Sequence, residues 1–80
     1  MNSKQTEAIK EAFGRVLRNK RKALGLSQEE LAARSGIAMR YVSLLERNQR
    51  QPTISTLKNL SDGLEISLTD FVSEIEKEAK

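Results

Sequence analysis

Residues 38–47 carry polar side chains at a spacing that would place them on one side of a helix. At about 100° per residue, that side holds two guanidinium groups, a hydroxyl and an apolar tip: Arg40, Ser43, Leu44 and Arg47. Arginine can donate to guanine O6 and N7, serine can bond to several bases, and an apolar tip can contact a thymine methyl. These residue types are typical of a helix that lies in the DNA major groove.

The residues that catalysis most often uses are missing. The sequence contains no histidine and no cysteine, which excludes a histidine general base, a thiolate metal ligand and a disulfide. No glycine-rich phosphate loop and no spaced acidic cluster organises the remaining carboxylates and lysines. We therefore expect a protein that is not an enzyme and that binds no metal ion and no cofactor.

The sequence also lacks the patterns of membrane insertion and export. No apolar run approaches the ~20 residues that a membrane-spanning helix needs, and the N-terminus has no signal-peptide pattern. The absence of cysteine fits a reducing compartment. We expect a cytoplasmic protein with no membrane partner.

The net charge of +3 is unevenly distributed along the chain. Residues 1–50 contain eleven Lys/Arg and five Asp/Glu, whereas residues 51–80 contain three and six. A basic half of this kind could face a polyanion such as nucleic acid. Charge alone is equally compatible with ordinary solvated helix surfaces.

Apolar residues recur at helical spacing throughout the chain, and no segment alternates as a strand does. The sequence predicts one all-α domain over residues 1–80, with five short helices. Ser27, Thr53 and Ser67 are the expected N-caps, and Glu30 completes a capping box with the first of them. On the third helix, the inward side is expected to consist of Ala38, Val42 and Leu45.

Two of these helices, within about residues 27–48, are joined through Ser35-Gly36-Ile37. A capped helix, a turn containing glycine and a helix with one polar face form the pattern of a helix-turn-helix. An alternative is a helical protein-interaction module in which the face around Leu44 docks a protein. The excess of arginine over carboxylate on that face favours DNA.

The segment LGLSQEELAARSGIAMRYVSLLERNQRQPTISTLKNLSDGLEIS resembles the phage-repressor and Cro type of helix-turn-helix domain. Within it, RYVSLLERNQRQPT is similar to the controller proteins of restriction–modification systems. The resemblance implies a five-helix repressor-like fold and a homodimeric transcriptional regulator that binds double-stranded DNA at a pseudo-palindromic operator. A phage or antitoxin regulator of the same repressor type remains an alternative.

The resemblance also implies roles for individual residues. The base-reading positions match Met39, Arg40, Ser43 and Leu44. Contacts to the DNA backbone are expected from Gln28, Tyr41, Arg47, Asn48 and Arg50, although Tyr41 could equally cover the core. An inward ion pair is expected between Arg21 and Glu46. Met39 stands where the controllers have a base-reading arginine, and Arg40 where threonine is usual, so the operator sequence is not predicted.

The fifth helix, about residues 67–78, carries apolar residues beyond what so small a core requires. Phe71, Val72 and Ile75 are predicted to form a twofold dimer interface, with completion of the monomer core as the alternative, above all for Phe71. Repression would need only promoter occupancy. Activation would need a contact to RNA polymerase, for which Glu65 and Asp70 are candidates.

Overall fold

The computed structural model describes residues 3–80, and this part of the chain folds into five α-helices without a strand. They are α1 (Ser3–Ala23), α2 (Gln28–Ser35), α3 (Met39–Glu46), α4 (Ile54–Gly63) and α5 (Leu68–Glu78). The all-α class and the five-helix architecture predicted from the sequence are confirmed. Helix α1 packs on α3 and α5, while α2 packs on α3 and α4.

The helix starts follow the predicted capping residues. The hydroxyl of Ser27 accepts from the amide of Glu30, and the Glu30 carboxylate accepts from the amide of Ser27 at 2.8 Å, which completes the capping box. Thr53 and Ser67 accept from the amides of Thr56 and Asp70 at the starts of α4 and α5. These bonds satisfy amides that the first turn of a helix leaves without partners.

The turn between α2 and α3 depends on Gly36. This residue adopts φ +68°, in the left-handed region that a Cβ disfavours, and its amide closes α2 by donating to the carbonyl of Ala32. The next residue, Ile37, is half-buried against the core. The turn therefore reverses the chain and fixes α3 relative to α2.

The core lies where α1, α3 and α5 meet α2 and α4. Its centre is formed by side chains with no exposed surface, including Leu17, Leu31, Leu45, Leu60 and Phe71. The rings of Phe13 and Phe71 are tilted, with centroids 6.1 Å apart, and join α1 to α5. This packing buries the inner side of α3 and leaves its outer side outside the core.

Gly14 allows α1 to approach the end of α3 closely. A Cβ built on this residue would lie 3.0 Å from the carbonyl oxygen of Glu46 and 2.6 Å from the side-chain oxygen of Asn48. A larger residue would displace the Asn48 side chain and press on the carbonyl of Glu46.

Candidate nucleic-acid interface

The outward side of α3 combines exposed and half-buried side chains. Met39 is 51% exposed, Arg40 and Arg47 are exposed, and Ser43 and Leu44 are half-buried. Thus the structure brings the four expected base-reading residues onto α3, with Arg47 as the C-cap that follows it, and Leu44 is less exposed than the sequence suggests. Val42 and Leu45 are fully buried on the other side.

Ala38 does not face inward, which corrects the expectation for this residue. It is exposed, its backbone is extended, and it is the N-cap that precedes α3. The 100° rule applies only within the helix, and α3 begins one residue later, at Met39. Because alanine has no side-chain acceptor, no side-chain hydrogen bond caps α3.

None of the three arginines at and after α3 is paired with a carboxylate within residues 3–80. Arg40, Arg47 and Arg50 are exposed, and none of the ion pairs in this part of the chain includes them. Four cations of α1 and α2 do have carboxylate partners elsewhere in the fold, namely Arg15, Lys20, Arg21 and Arg34. The interface therefore offers guanidinium groups that are free to bind an anionic ligand.

The loop after α3 begins with Asn48 in a left-handed conformation, at φ +61°. Asparagine tolerates this region better than most residues. Its side-chain oxygen faces Gly14, while Gln49, Arg50 and Gln51 are exposed beyond it. Lys10 of α1 lines a polar concavity together with these loop residues. Nothing in the sequence spacing indicated that Lys10 would lie here, because the contact bridges nearly forty residues.

The sequence left two roles open for Tyr41, contact with the DNA backbone and covering of the core. Its ring is half-buried against the core, and its hydroxyl donates to the carbonyl of Gln51 at 3.4 Å. The side chain therefore covers the core and connects α3 to the loop. A contact between the same hydroxyl and the DNA backbone stays a prediction.

Beneath the interface, Arg21 and Glu46 form the expected inward ion pair. Arg21 Nε donates to Glu46 Oε2 at 2.6 Å and Nη2 donates to Oε1 at 3.0 Å, with side-chain exposures of 10% and 4%. The hydrogen bond to Glu46 raises the pKa of Arg21 above its ordinary value, opposed by burial and reinforced by the charge of Glu46. The pair ties α1 to the end of α3.

Gln28, expected to contact phosphate, is the first residue of α2 and is half-buried. Its amide nitrogen donates to Glu46 Oε1 at 3.1 Å. The first residue of α2 and the last of α3 are therefore joined by one hydrogen bond. Sequence spacing carried no signal for this connection, because 18 residues separate Gln28 from Glu46.

The charge asymmetry of the sequence is partly neutralised within the fold. Lys20 of α1 lies 2.9 Å from Glu74, and Arg15 lies 3.6 Å from Glu78, both on α5. The acidic end thus packs beside the basic first helix. Among residues 3–80, the exposed cations outside these ion pairs include Arg40, Arg47 and Arg50 at α3 and the following loop, and Arg18 and Lys22 on α1.

The fifth helix exposes less apolar surface than predicted. Phe71 and Ile75 are buried in the core of the monomer, with 0% and 5% exposure, whereas Val72 is 44% exposed. Phe71 therefore takes the alternative role, completion of the monomer core. Val72 and Ile75 both line an apolar groove that also includes Ile9 and Leu57, and a dimer interface on the fifth helix stays a prediction.

Neither a metal site nor a membrane segment is found in the part of the chain that the structure describes. No three carboxylates among residues 3–80 are grouped so that they could hold a metal ion. No helix within the same residues has the length and apolar character to span a membrane.

A short capped helix, a left-handed glycine turn and a second helix with an arginine-bearing outer face define the class of helix-turn-helix proteins. The model of the family described as "Helix-turn-helix" matches residues 17–71. The chain therefore belongs to the helix-turn-helix family.

Its relatives are transcriptional regulators. It is 44% identical to the HTH-type transcriptional regulator y4dJ of Sinorhizobium fredii over 76% of this chain and 74% of that protein. It is 39% identical to the control protein C.MunI of a Mycoplasma species, over 88% and 96% of the two chains.

A solved structure supports the same grouping. The restriction–modification controller protein C.Esp1396I, in the crystal structure of its tetramer in complex with its natural 35-base-pair operator, has a TM-score of 0.82 and 34% identity. The match covers 89% of this chain and 93% of that one. The resemblance to restriction–modification controllers that the sequence indicated is confirmed.

Proposed function

We propose that this helix-turn-helix transcriptional regulator binds double-stranded DNA as a homodimer, with the outer side of α3 in the major groove. The observation that carries the proposal is the set of unpaired, exposed arginines on and after a helix whose inner side is fully buried. Met39, Arg40, Ser43 and Leu44 would contact base edges. The controller protein of similar fold that was crystallised with its operator supports this assignment.

Contacts to the phosphate backbone would set the register of the protein on DNA. Gln28 at the start of α2, together with Tyr41, Arg47, Asn48 and Arg50, would supply these contacts. The N-terminus of a helix and the guanidinium group both favour a phosphate oxygen. In this arrangement, α3 would distinguish one base sequence from another. The residues around it would supply affinity that does not depend on the base sequence.

Dimerisation would place two copies of α3 on one face of the duplex. We place the interface at the apolar groove bordered by Val72, Ile9 and Leu57, because it leaves apolar surface uncovered in the monomer. Twofold symmetry would set the half-sites about 34–36 Å apart, one duplex turn. In sedimentation at micromolar concentration, Val72→Glu should shift the protein toward the monomer. A monomeric wild type would contradict the interface.

The favoured subtype is a restriction–modification controller, supported by the coverage of C.MunI over nearly its whole length. Such a regulator would work in the cytoplasm, without enzymatic activity or a cofactor. Activation would require a contact to RNA polymerase. Asp70 is exposed and could make it, whereas Glu65 is already paired with Arg34 at 2.8 Å.

A salt series with duplex DNA of random sequence tests DNA binding directly. Neutralised phosphates release counterions, so the logarithm of affinity should fall by roughly 0.9 per contacted phosphate for each log unit of salt. Arg50→Ala should make that slope shallower by roughly 0.9, the value for one contacted phosphate. Lys77→Ala is the matched control, because it removes the same charge from the groove between α1 and α5. Salt-independent affinity would favour a protein-docking module instead.

A further inference from the structure

The carboxylate of Glu46 accepts hydrogen bonds from two residues on different helices. Arg21 donates to both of its oxygens, and Gln28 donates to Oε1 at 3.1 Å. The Glu46 side chain is only 4% exposed, so these protein donors occupy a site that water barely reaches. The three residues join α1, the start of α2 and the end of α3.

This geometry fixes which way the amide of Gln28 is turned. An ionised carboxylate can only accept, so the NH₂ group of Gln28 must face Glu46. One N–H of that group and the amide oxygen are left for other partners. The N–H can donate to a phosphate oxygen, which is the contact proposed for this residue.

The ion pair also controls the chain just before α2. Arg21 Nη1 donates to the carbonyl of Leu26 at 2.8 Å, two residues before Gln28. The backbone at the start of α2 and the side chain of Gln28 are therefore held by the same pair of charges. Since Arg21 neutralises Glu46, the carboxylate can orient Gln28 without a net charge that would repel a phosphate.

We propose that Glu46 is a positioning residue for DNA binding, which orients Gln28 toward a backbone phosphate through the Arg21–Glu46 pair. This inference rests on the proposed function. It assigns the pair a part in recognition beyond joining α1 to α3. The ligand of the positioned amide is a non-bridging phosphate oxygen of duplex DNA.

A double-mutant cycle separates positioning from stability. Arg21→Met with Glu46→Leu removes both charges together, so it leaves no stranded ion and does not change the net charge. In the wild-type background, Gln28→Ala should raise the Kd for duplex DNA about tenfold, as expected for a hydrogen bond to a charged group. In the pair-replaced background, the same substitution should raise it less than twofold.

If Gln28→Ala raised the Kd by the same factor in both backgrounds, the positioning role would be overturned, whereas DNA binding itself would still stand. A wild-type protein that binds no duplex would instead refute the proposed function itself. Melting curves of each variant confirm that the cycle compares folded proteins.

If the pair-replaced variant does not fold, NMR relaxation of side-chain amides tests whether Glu46 holds the side chain of Gln28. In the free wild-type protein, the NH₂ group of Gln28 should be ordered, whereas those of exposed Gln49 and Gln51 should be mobile. A Gln28 amide as mobile as these two would show that Glu46 does not hold it, and would overturn the inference.

Discussion

The two helices of the helix-turn-helix, α2 and α3, are each eight residues long and begin in different ways. Helix α2 is capped reciprocally by Ser27 and Glu30 and has two carboxylates in its first turn. Helix α3 follows Ala38, has no side-chain cap and no acidic residue in its first turn. Acidic residues favour a helix N-terminus in isolation, so α3 lacks a stabilising feature that α2 has.

The difference indicates how stability and recognition are divided between the helices. Local hydrogen bonds stabilise α2, whereas α3 depends on the buried Val42 and Leu45 and on the Arg21–Glu46 pair at its end. The absence of carboxylates from the first turn of α3 leaves Met39 and Arg40 able to approach base edges.

The largest expected effect is the loss of stability when the Arg21–Glu46 pair at the end of α3 is broken. Glu46→Ala should lower the free energy of unfolding by about 3–5 kcal/mol, because it leaves the guanidinium of Arg21 buried without its partner. Denaturant unfolding followed by circular dichroism measures this change. Glu74→Ala, which removes an exposed partner of Lys20, is the control and should cost below about 1 kcal/mol. Similar losses for both would contradict the dependence of α3 on the pair.

The next effect concerns the outer side of α3. Arg40→Ala should weaken binding to the preferred duplex by about 1–3 kcal/mol and relax the sequence preference. Selection from randomised duplexes measures both quantities, with Lys77→Ala as the charge-matched control. An unchanged preference in the Arg40 variant would mean that another residue reads the bases.

Exchanging the caps sharpens the comparison between α2 and α3. Ser27→Ala should destabilise the fold by about 1 kcal/mol, because the Glu30 amide loses its acceptor. Ala38→Ser should stabilise it by up to about 1 kcal/mol, because it gives α3 the acceptor that it lacks. Thermal melting of the two variants gives both changes. A destabilising Ala38→Ser would show that the start of α3 is not limited by capping.

The smallest effect is a pH dependence at the α2 cap. Hydrogen bonds from the Ser27 amide and hydroxyl lower the pKa of Glu30 below its ordinary value of 4.5. The ionised cap therefore stabilises the fold above that value, and the contribution is lost as the pH falls through the lowered pKa. Glu30→Gln should reduce the acid dependence of stability between about pH 5 and 3. An unchanged acid profile would contradict this role of the carboxylate.

Features that depend on neighbouring residues could be predicted from the sequence. The Ser27–Glu30 capping box and the Thr53 cap each span three residues, so spacing alone determines them. The turn at Gly36 was predicted for the same reason. The Arg21–Glu46 pair spans 25 residues, and only the family resemblance indicated it.

Features that depend on packing could not be predicted in the same way. Helical spacing identified Phe71, Val72 and Ile75 as apolar, but the division between core and surface follows from how α5 crosses α1. Ala38 was misplaced because periodicity does not locate the first residue of a helix. The hydrogen bond from Gln28 to Glu46 required the relative position of α2 and α3.

Methylation protection of a selected duplex tests the central claim most directly, since dimethyl sulfate modifies guanine N7 in the major groove. With wild-type protein, guanines within each half-site should be protected, and Arg40→Ala should remove protection at one position per half-site while backbone contacts persist. Bound protein that leaves every major-groove N7 reactive would contradict the placement of α3 against the bases.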